Sequence, residues 1–401
     1  MSTGPRMSKT ASMTPVMVSL VFLVALNLRP ALTAVGPLLP SIGAEENLDE
    51  GLQGLLGALP LLAFAAVSPL VHLVSRRLGM ERTILIALGL LAVGTVVRSY
   101  TGAPGLWLGT IVVGSAIAIG NVLVPTLVKR DYVTRISRAT SIYSACITIS
   151  ASIASAVAVP LATSTGWRGS LAFWAIPAVV TAVIWLPRAR AASPDSDSVL
   201  PTTVPVGTVW RQSTAWFVTA FMGLQSTTFY IMVTWLPTIE TANGNSAQQA
   251  GLHLFMYQIV GIVSGLSIPR MMRRPHNQVA AAVTASVPML VGALGLLLYP
   301  GWGIAWAVVA GLGSGASLVV ALTLISLRGR THAETTQLSG MAQSVGYLFA
   351  AMGPVAAGYF ARVTGGWQAS LLLVAALAVL QGASALAAGR ARKPHPATTP
   401  A

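Results

Sequence analysis

The sequence predicts an all-α membrane protein of twelve transmembrane helices, arranged as two parallel six-helix halves with both termini in the cytoplasm. Of its 401 residues, 54% are hydrophobic and 8% charged. Soluble domains carry roughly 25% charged residues, so a chain this long and this apolar cannot cover a water-facing surface with polar groups. Twelve stretches have the length, about 20 apolar residues, that crosses a hydrocarbon core ~30 Å thick. Twenty Lys and Arg residues fall on one side of those stretches and three on the other, a strong positive-inside asymmetry.

The first span, near 14–41, carries Asn27, Arg29 and prolines 30, 37 and 40. It is too long for a signal peptide and has no cleavage site before the acidic loop GAEENLDE. Span two (51–74) ends at SRRLGMERT, and span three (82–99) has no large polar group at mid-depth. Span four (104–128) places Asn121 between Gly120 and Pro125, where a helix bends. Span five (139–162) carries Tyr143 and the small-residue run SACITISASIASAVAV, which lets helices approach and slide. Span six (168–187) closes an N-terminal half over 1–187. Residues 188–210, rich in Pro, Ser and Asp, read as a cytoplasmic linker.

The C-terminal half, 211–389, opens with span seven (211–238), in which Gln225, Ser226 and Tyr230 form a polar stripe. Span eight (250–269) carries Tyr257 and Gln258 in adjacent positions, so at most one of them points at a cavity centre. Span nine (278–299) is apolar at mid-depth, and the GLGSGAS run of span ten (303–327) is expected to permit local bending. Span eleven (337–361) sets Gln343 and Tyr347 on one face, and span twelve (367–389) has only Gln381. Residues 390–401 form a cytoplasmic tail. The large polar groups thus avoid spans three, six, nine and twelve, as they would if those helices were an outer scaffold around a path lined by the others.

The three basic residues on the outer side are Arg98, Arg168 and Arg362, and the remaining one, Arg29, lies in the middle of the first span. A net charge of +14 therefore orients the protein and meets lipid headgroups; it is not a nucleic-acid footprint. A single cysteine, Cys146, excludes a disulfide framework, and five scattered histidines exclude a histidine-rich metal site.

The halves retain traces of duplication. TGWRGSL (165–171) and GGWQASL (365–371) open spans six and twelve. At an offset of 197, Leu39, Pro40 and Ile42 match Leu236, Pro237 and Ile239, Gly114 matches Gly311, and Thr126 matches Thr323. Same-orientation six-span repeats about an axis along the membrane normal are the arrangement of the major facilitator fold.

Arg29 is the sharpest single feature. Arginine keeps its charge at any relevant pH, and at mid-bilayer it costs at least about 2.5–3.5 kcal/mol. Its head cannot snorkel, because either interface is roughly 18 Å or more away. All ten acidic residues lie at or beyond span ends, including Glu81, Asp131 and Glu240. An uncompensated guanidinium beside a water-filled cavity favours an anion, held by two parallel hydrogen bonds. The competing role is structural: Pro30 frees the carbonyl of Leu26, which Arg29 could bind. Asn27, about 200° around the helix, faces a neighbouring helix or ligand. The candidate substrate ligands are Arg29, Asn27, Asn121, Gln225, Tyr230, Tyr257, Gln258, Gln343 and Tyr347. For each of the polar neighbours, interhelical hydrogen bonding is the alternative.

LNLRPALTAVGPLLP (26–40) and GNVLVPTLVKRDY (120–132), with SRRLGMERT (75–83) and TGWRGSL (165–171), closely resemble segments of the major facilitator transporters for cyanate and 2-nitroimidazole, and the resemblance runs over nearly the whole chain. It implies alternating access around a central site, with Arg29 and Asn121 in matching positions. The wider superfamily's GxLADRFGRR loop departs here: Arg76 stands where its gate aspartate would fall. Arg77, Glu81 and Asp131 are the candidate substitutes.

Two transport readings follow. The first is secondary active or facilitated transport of a small anionic or anion-like solute; the alternative is export of uncharged, nitroimidazole-like drugs. The lack of a mid-membrane carboxylate argues against the common proton-carrier mechanism of drug efflux. A membrane sensor is the third reading, disfavoured because the tails and linker are too short to fold alone. No GxxxxGK[ST] loop or catalytic constellation supports an enzyme or ATP-driven transport. No cofactor is expected, and the partners are a small anionic solute and bilayer lipid, with the chain a monomer. Arginine in excess of lysine and abundant alanine point to a GC-rich bacterium, hence a multi-pass protein of the bacterial plasma (inner) membrane.

Overall fold

A computed structural model describes residues 15–132, 136–191, 209–272, 278–329 and 332–389. Most of the linker (192–208), the C-terminal tail (390–401), and the charged residues Arg6, Lys9, Arg135, Asp195, Asp197, Arg273, Arg274 and Arg330 lie outside the described residues.

The described chain is helical, without a strand. The first half contains α1 (Pro15–Asn27), α2 (Pro30–Thr33), α3 (Leu39–Glu46), α4 (Glu50–Val67), α5 (Val71–Leu78), α6 (Met80–Tyr100), α7 (Gly102–Asp131), α8 (Ile136–Ala172) and α9 (Ala175–Ala191). The second half contains α10 (Ser213–Ala242), α11 (Ala247–Ser267), α12 (Val279–Leu298), α13 (Gly303–Arg328), α14 (His332–Thr364) and α15 (Gln368–Ala388). Eleven stretches among the described residues are long and apolar enough to cross a membrane.

The sixth expected span is the exception. The chain turns at Gly166, φ 69° and ψ 171°, a left-handed conformation that glycine adopts without steric cost, so the sixth stretch begins at Trp167 as expected; it breaks at Phe173–Trp174 and resumes as the 17-residue α9. Span eleven is also longer than expected, since α14 covers 332–364.

Residues in corresponding positions, at offsets of 197 and 200, do the same work in each half. The Asp49 side chain caps α4 by accepting from Leu52 N at 2.8 Å, and Ser246 caps α11 in a reciprocal box with Gln249. Gly114 of α7 packs on Pro60 of α4, and Gly311 of α13 packs on Tyr257 of α11. Ser170 donates to Ala158 O at 2.7 Å, and Ser370 to Ala357 O at 2.6 Å. In α13, glycines of the GLGSGAS run bring its backbone against α11 at Tyr257 and Gly261, a contact that only residues lacking a Cβ permit.

Call the end of the bundle bearing the turns near 47–49, 166 and 365 the turn end, and the other the terminal end. At the turn end one apolar core joins the two halves, with Leu38, Leu39 and Ile42 among Ile231, Trp235 and Leu236. A Cβ at Gly36 would collide with Val233 O, Gly54 backs onto Pro354 O, and Gly358 onto Glu50 O. Gln258 donates to Ser155 at 2.6 Å, and Arg362 pairs with Asp49 at 2.8 Å. At the terminal end the second half has a core of its own, built around Phe221, Ala282 and Val320.

Candidate functional site

The site begins with a broken helix. Pro30 has no N–H to give to the preceding turn, and the backbone departs from helix at Leu28 and Arg29, the latter at φ −126° and ψ −32°. Span one therefore crosses as short pieces: α1, α2, a 3-10 turn at Gly36–Leu38, and α3. Irregular backbone at membrane depth is tolerated where protein or a cavity surrounds it, and discontinuous helices are a recurring device of transporter binding sites.

From this break the Arg29 guanidinium crosses to the second half of the chain. Its Nη1 donates to the Tyr230 hydroxyl at 2.7 Å, and its Cζ lies 5.9 Å from the Tyr230 ring centre. Tyr143 and Tyr347 pack against the same apolar core as Tyr230. Aromatic rings extend the group: Phe229 meets Tyr230 edge-on at 5.0 Å and stacks on Tyr257 at 6.2 Å, while Phe64 meets Tyr347 edge-on at 5.9 Å. Among the described residues Arg29 has no carboxylate partner.

On the turn-end side of Arg29 lies a narrow cavity of about 30 Å³, whose polar lining is Arg29, Thr33, Arg98, Thr110, Tyr230 and Thr234. Arg98 corrects the sequence reading, which counted it among the outer-side charges. Its side chain is 2% exposed and turns inward, Nη1 donating to Ala31 O at 2.8 Å. An arginine two residues from a helix end looks interfacial, but its long side chain can carry the head well away from its Cα.

The other expected ligands divide. Arg29, Tyr230 and Tyr347 come together, and Tyr257 joins through Phe229. Asn121 is half-buried beside Gly120, which packs on Leu28. Asn27 instead donates to Thr181 of α9 at 2.9 Å. Gln225 is buried and donates to its neighbour Ser226 at 2.7 Å. Gln258 is spent on Ser155 across the halves, and Gln343 donates to Ser339 one turn back at 2.9 Å. None of Asn27, Gln225, Gln258 and Gln343 lines the cavity. Sequence reading missed Phe64, Phe229 and Arg98, as well as Thr33, Thr110 and Thr234.

Of the gate candidates, Arg76 and Arg77 are exposed in the last turn of α5. Glu81 and Asp131 are buried, and they pair within the first half rather than across it. Arg130 binds both Glu81 and Asp131; Arg188 binds Asp131 and lies 3.8 Å from Glu81. The Arg188 guanidinium sits 4.7 Å over the Trp185 ring, whose Nε1 donates to Glu81 O at 2.9 Å. Glu240, near the end of α10 as expected, is fully buried, 2.6 Å from His253 Nδ1.

A sequence profile of the Major Facilitator Superfamily matches residues 21–351. The chain belongs to this superfamily. It is 38% identical to the 2-nitroimidazole transporter of Escherichia coli (strain K12), over 94% of this chain and 95% of that one. It is 28% identical to the cyanate transport protein CynX of the same organism, over 91% and 96%. In fold it is similar to a crystal structure of the nucleoside transporter NupG, with a TM-score of 0.78 at 15% identity, covering 93% and 99% of the chains. As a major facilitator protein it is a multi-pass transporter of the bacterial inner membrane, and the proteins it resembles are transporters rather than enzymes.

Proposed function

We propose that this transporter moves a small anionic or anion-like solute by alternating access, with Arg29 as the anion ligand. Carrying this reading is the pairing of Arg29, at mid-membrane, with a tyrosine hydroxyl instead of a carboxylate. A guanidinium removed from water and left without a counter-charge is unfavourable; an anion bound through its planar fork removes that penalty. The two halves, 1–187 and 211–389, act as six-helix units joined by the 188–210 linker, with both termini cytoplasmic. On this orientation the closely packed turn end is periplasmic. Neutralising Arg29 then favours closure at the terminal end, and the halves rock about the bound solute. The chain acts as a monomer.

The aromatic rings around Arg29, together with the 38% identity to a 2-nitroimidazole transporter, support a second reading: export of a flat, uncharged aromatic compound. Thermal stabilisation of the purified protein by cyanate, benzoate or 2-nitroimidazole separates the two. Stabilisation by the anions that vanishes in Arg29→Ala supports the first; stabilisation only by 2-nitroimidazole, retained in the mutant, supports the second.

A further inference from the structure

We propose that Arg98 is a second anion ligand, and that the cavity between it and Arg29 is a headgroup slot for a compact monovalent anion whose charge is spread over two terminal atoms. Carboxylate and linear pseudohalides share that chemistry. The inference rests on the anion reading above and deepens it.

Of the five N–H donors on a guanidinium, Arg98 directs Nη1 to Ala31 O, while Nε and Nη2 are buried without a protein partner. A buried charge that is neither paired nor fully hydrogen-bonded is strongly destabilising, and among the described residues Arg98 has no carboxylate partner. Of the outer carboxylates, Glu45 and Glu46 bind Arg168, Asp49 binds Arg362 and Glu240 meets His253. No hydroxyl in the slot relieves it either, since none accepts from Nε or Nη2. Arg98 thus sets a second positive charge in the wall of the cavity that Arg29 lines, with two closed-off nitrogens that have no protein partner and that a bound anion would reach by a small turn of the guanidinium.

The surrounding packing is particular to the first half. Gly109 of α7 lies against the Arg98 backbone, whereas at an offset of 197 the counterpart of Arg98 is Gly295 and that of Gly109 is Trp306, whose ring fills the contact. The second half closes with an indole what the first half arranges around a guanidinium. Size narrows the ligand. A cavity of this measure that holds one water needs about 10–15 Å³, so about 30 Å³ admits a group of two or three heavy atoms and no ring. A larger substrate would seat its anionic head here and its body among the aromatic residues around Arg29.

The test is calorimetric and thermal titration of the full-length protein with acetate, cyanate and 2-nitroimidazole, comparing wild type with Arg98→Gln, Arg98→Lys and Arg29→Gln. Arg98→Gln is expected to weaken acetate and cyanate at least tenfold and leave 2-nitroimidazole within twofold, without lowering the ligand-free melting temperature, since an uncompensated charge has been removed. Arg98→Lys is expected to weaken the same two anions, because the fork is lost. Anion affinities unchanged in Arg98→Gln but lost in Arg29→Gln would overturn the role of Arg98 and leave that of Arg29 intact. If Arg98→Gln does not fold, Arg98→Lys decides, and wild-type affinity there overturns the proposal. No response of the wild type to either anion overturns both readings.

Discussion

Two pairs of arginines are held in this molecule in opposite ways. At the terminal end of the first half, Arg130 and Arg188 meet Glu81 and Asp131, and Arg188 is also stacked on Trp185. In the middle of the bundle, Arg29 and Arg98 share a cavity with no carboxylate and hold only a tyrosine hydroxyl and a backbone carbonyl. Arg188 and Arg98 are both essentially buried, at 0% and 2% exposure, so burial alone does not distinguish them. Counter-charge does. The satisfied pair fixes the geometry of α6, α7 and α9; the unsatisfied pair is suited to receiving a charge from outside.

This contrast can be broken by removing one member at a time. Breaking a buried ion pair by deleting one partner costs about 3–5 kcal/mol. Glu81→Gln or Asp131→Asn is therefore expected to lower the melting temperature and the amount of protein in the membrane more than any other change here, with anion affinity per folded molecule unchanged. Arg29→Lys keeps the charge and loses the fork. A hydrogen bond to a charged group is worth about 1.5–3 kcal/mol, so substrate uptake into proteoliposomes should fall roughly 10- to 100-fold with normal insertion. Full transport in that mutant would remove Arg29 from the site. Tyr230→Phe frees Arg29 Nη1 from its one observed partner and should weaken anion binding several-fold by loosening the fork, measurable by calorimetry. The smallest effect is expected from Gln258→Ala, which loses one cross-half hydrogen bond, about 1 kcal/mol. It should shift the balance of outward- and inward-open forms, read by labels across the turn end, and leave affinity within about threefold.

The sequence shows the membrane helices, because an apolar run of the right length has few alternatives in lipid. It places the start of the sixth beside the turn at Gly166 but does not show the break at Phe173–Trp174 that splits that span. Arg29 is legible because its Cα itself lies at mid-depth, where any charge demands explanation. Arg98 is not: its Cα sits near a span end, and only the fold shows that its head turns inward to Ala31. Asn27, Gln225 and Gln258 look like ligands for the same reason as Arg29, but amides readily serve as interhelical glue, and their partners Thr181, Ser226 and Ser155 are set by packing that no spacing rule conveys. Phe64 and Phe229 pass unnoticed because an aromatic residue in an apolar span reads as lipid-facing or core.

The most direct measurement is the position of an anomalous scatterer. Selenocyanate has the size and charge of a linear pseudohalide, and its selenium can be located in crystals of the purified transporter. One site is expected within hydrogen-bond reach of both Arg29 and Arg98, lost in Arg29→Gln. Selenium bound only at surface arginines, with the Arg29 cavity empty at saturating selenocyanate, would contradict an anion site built on these two arginines.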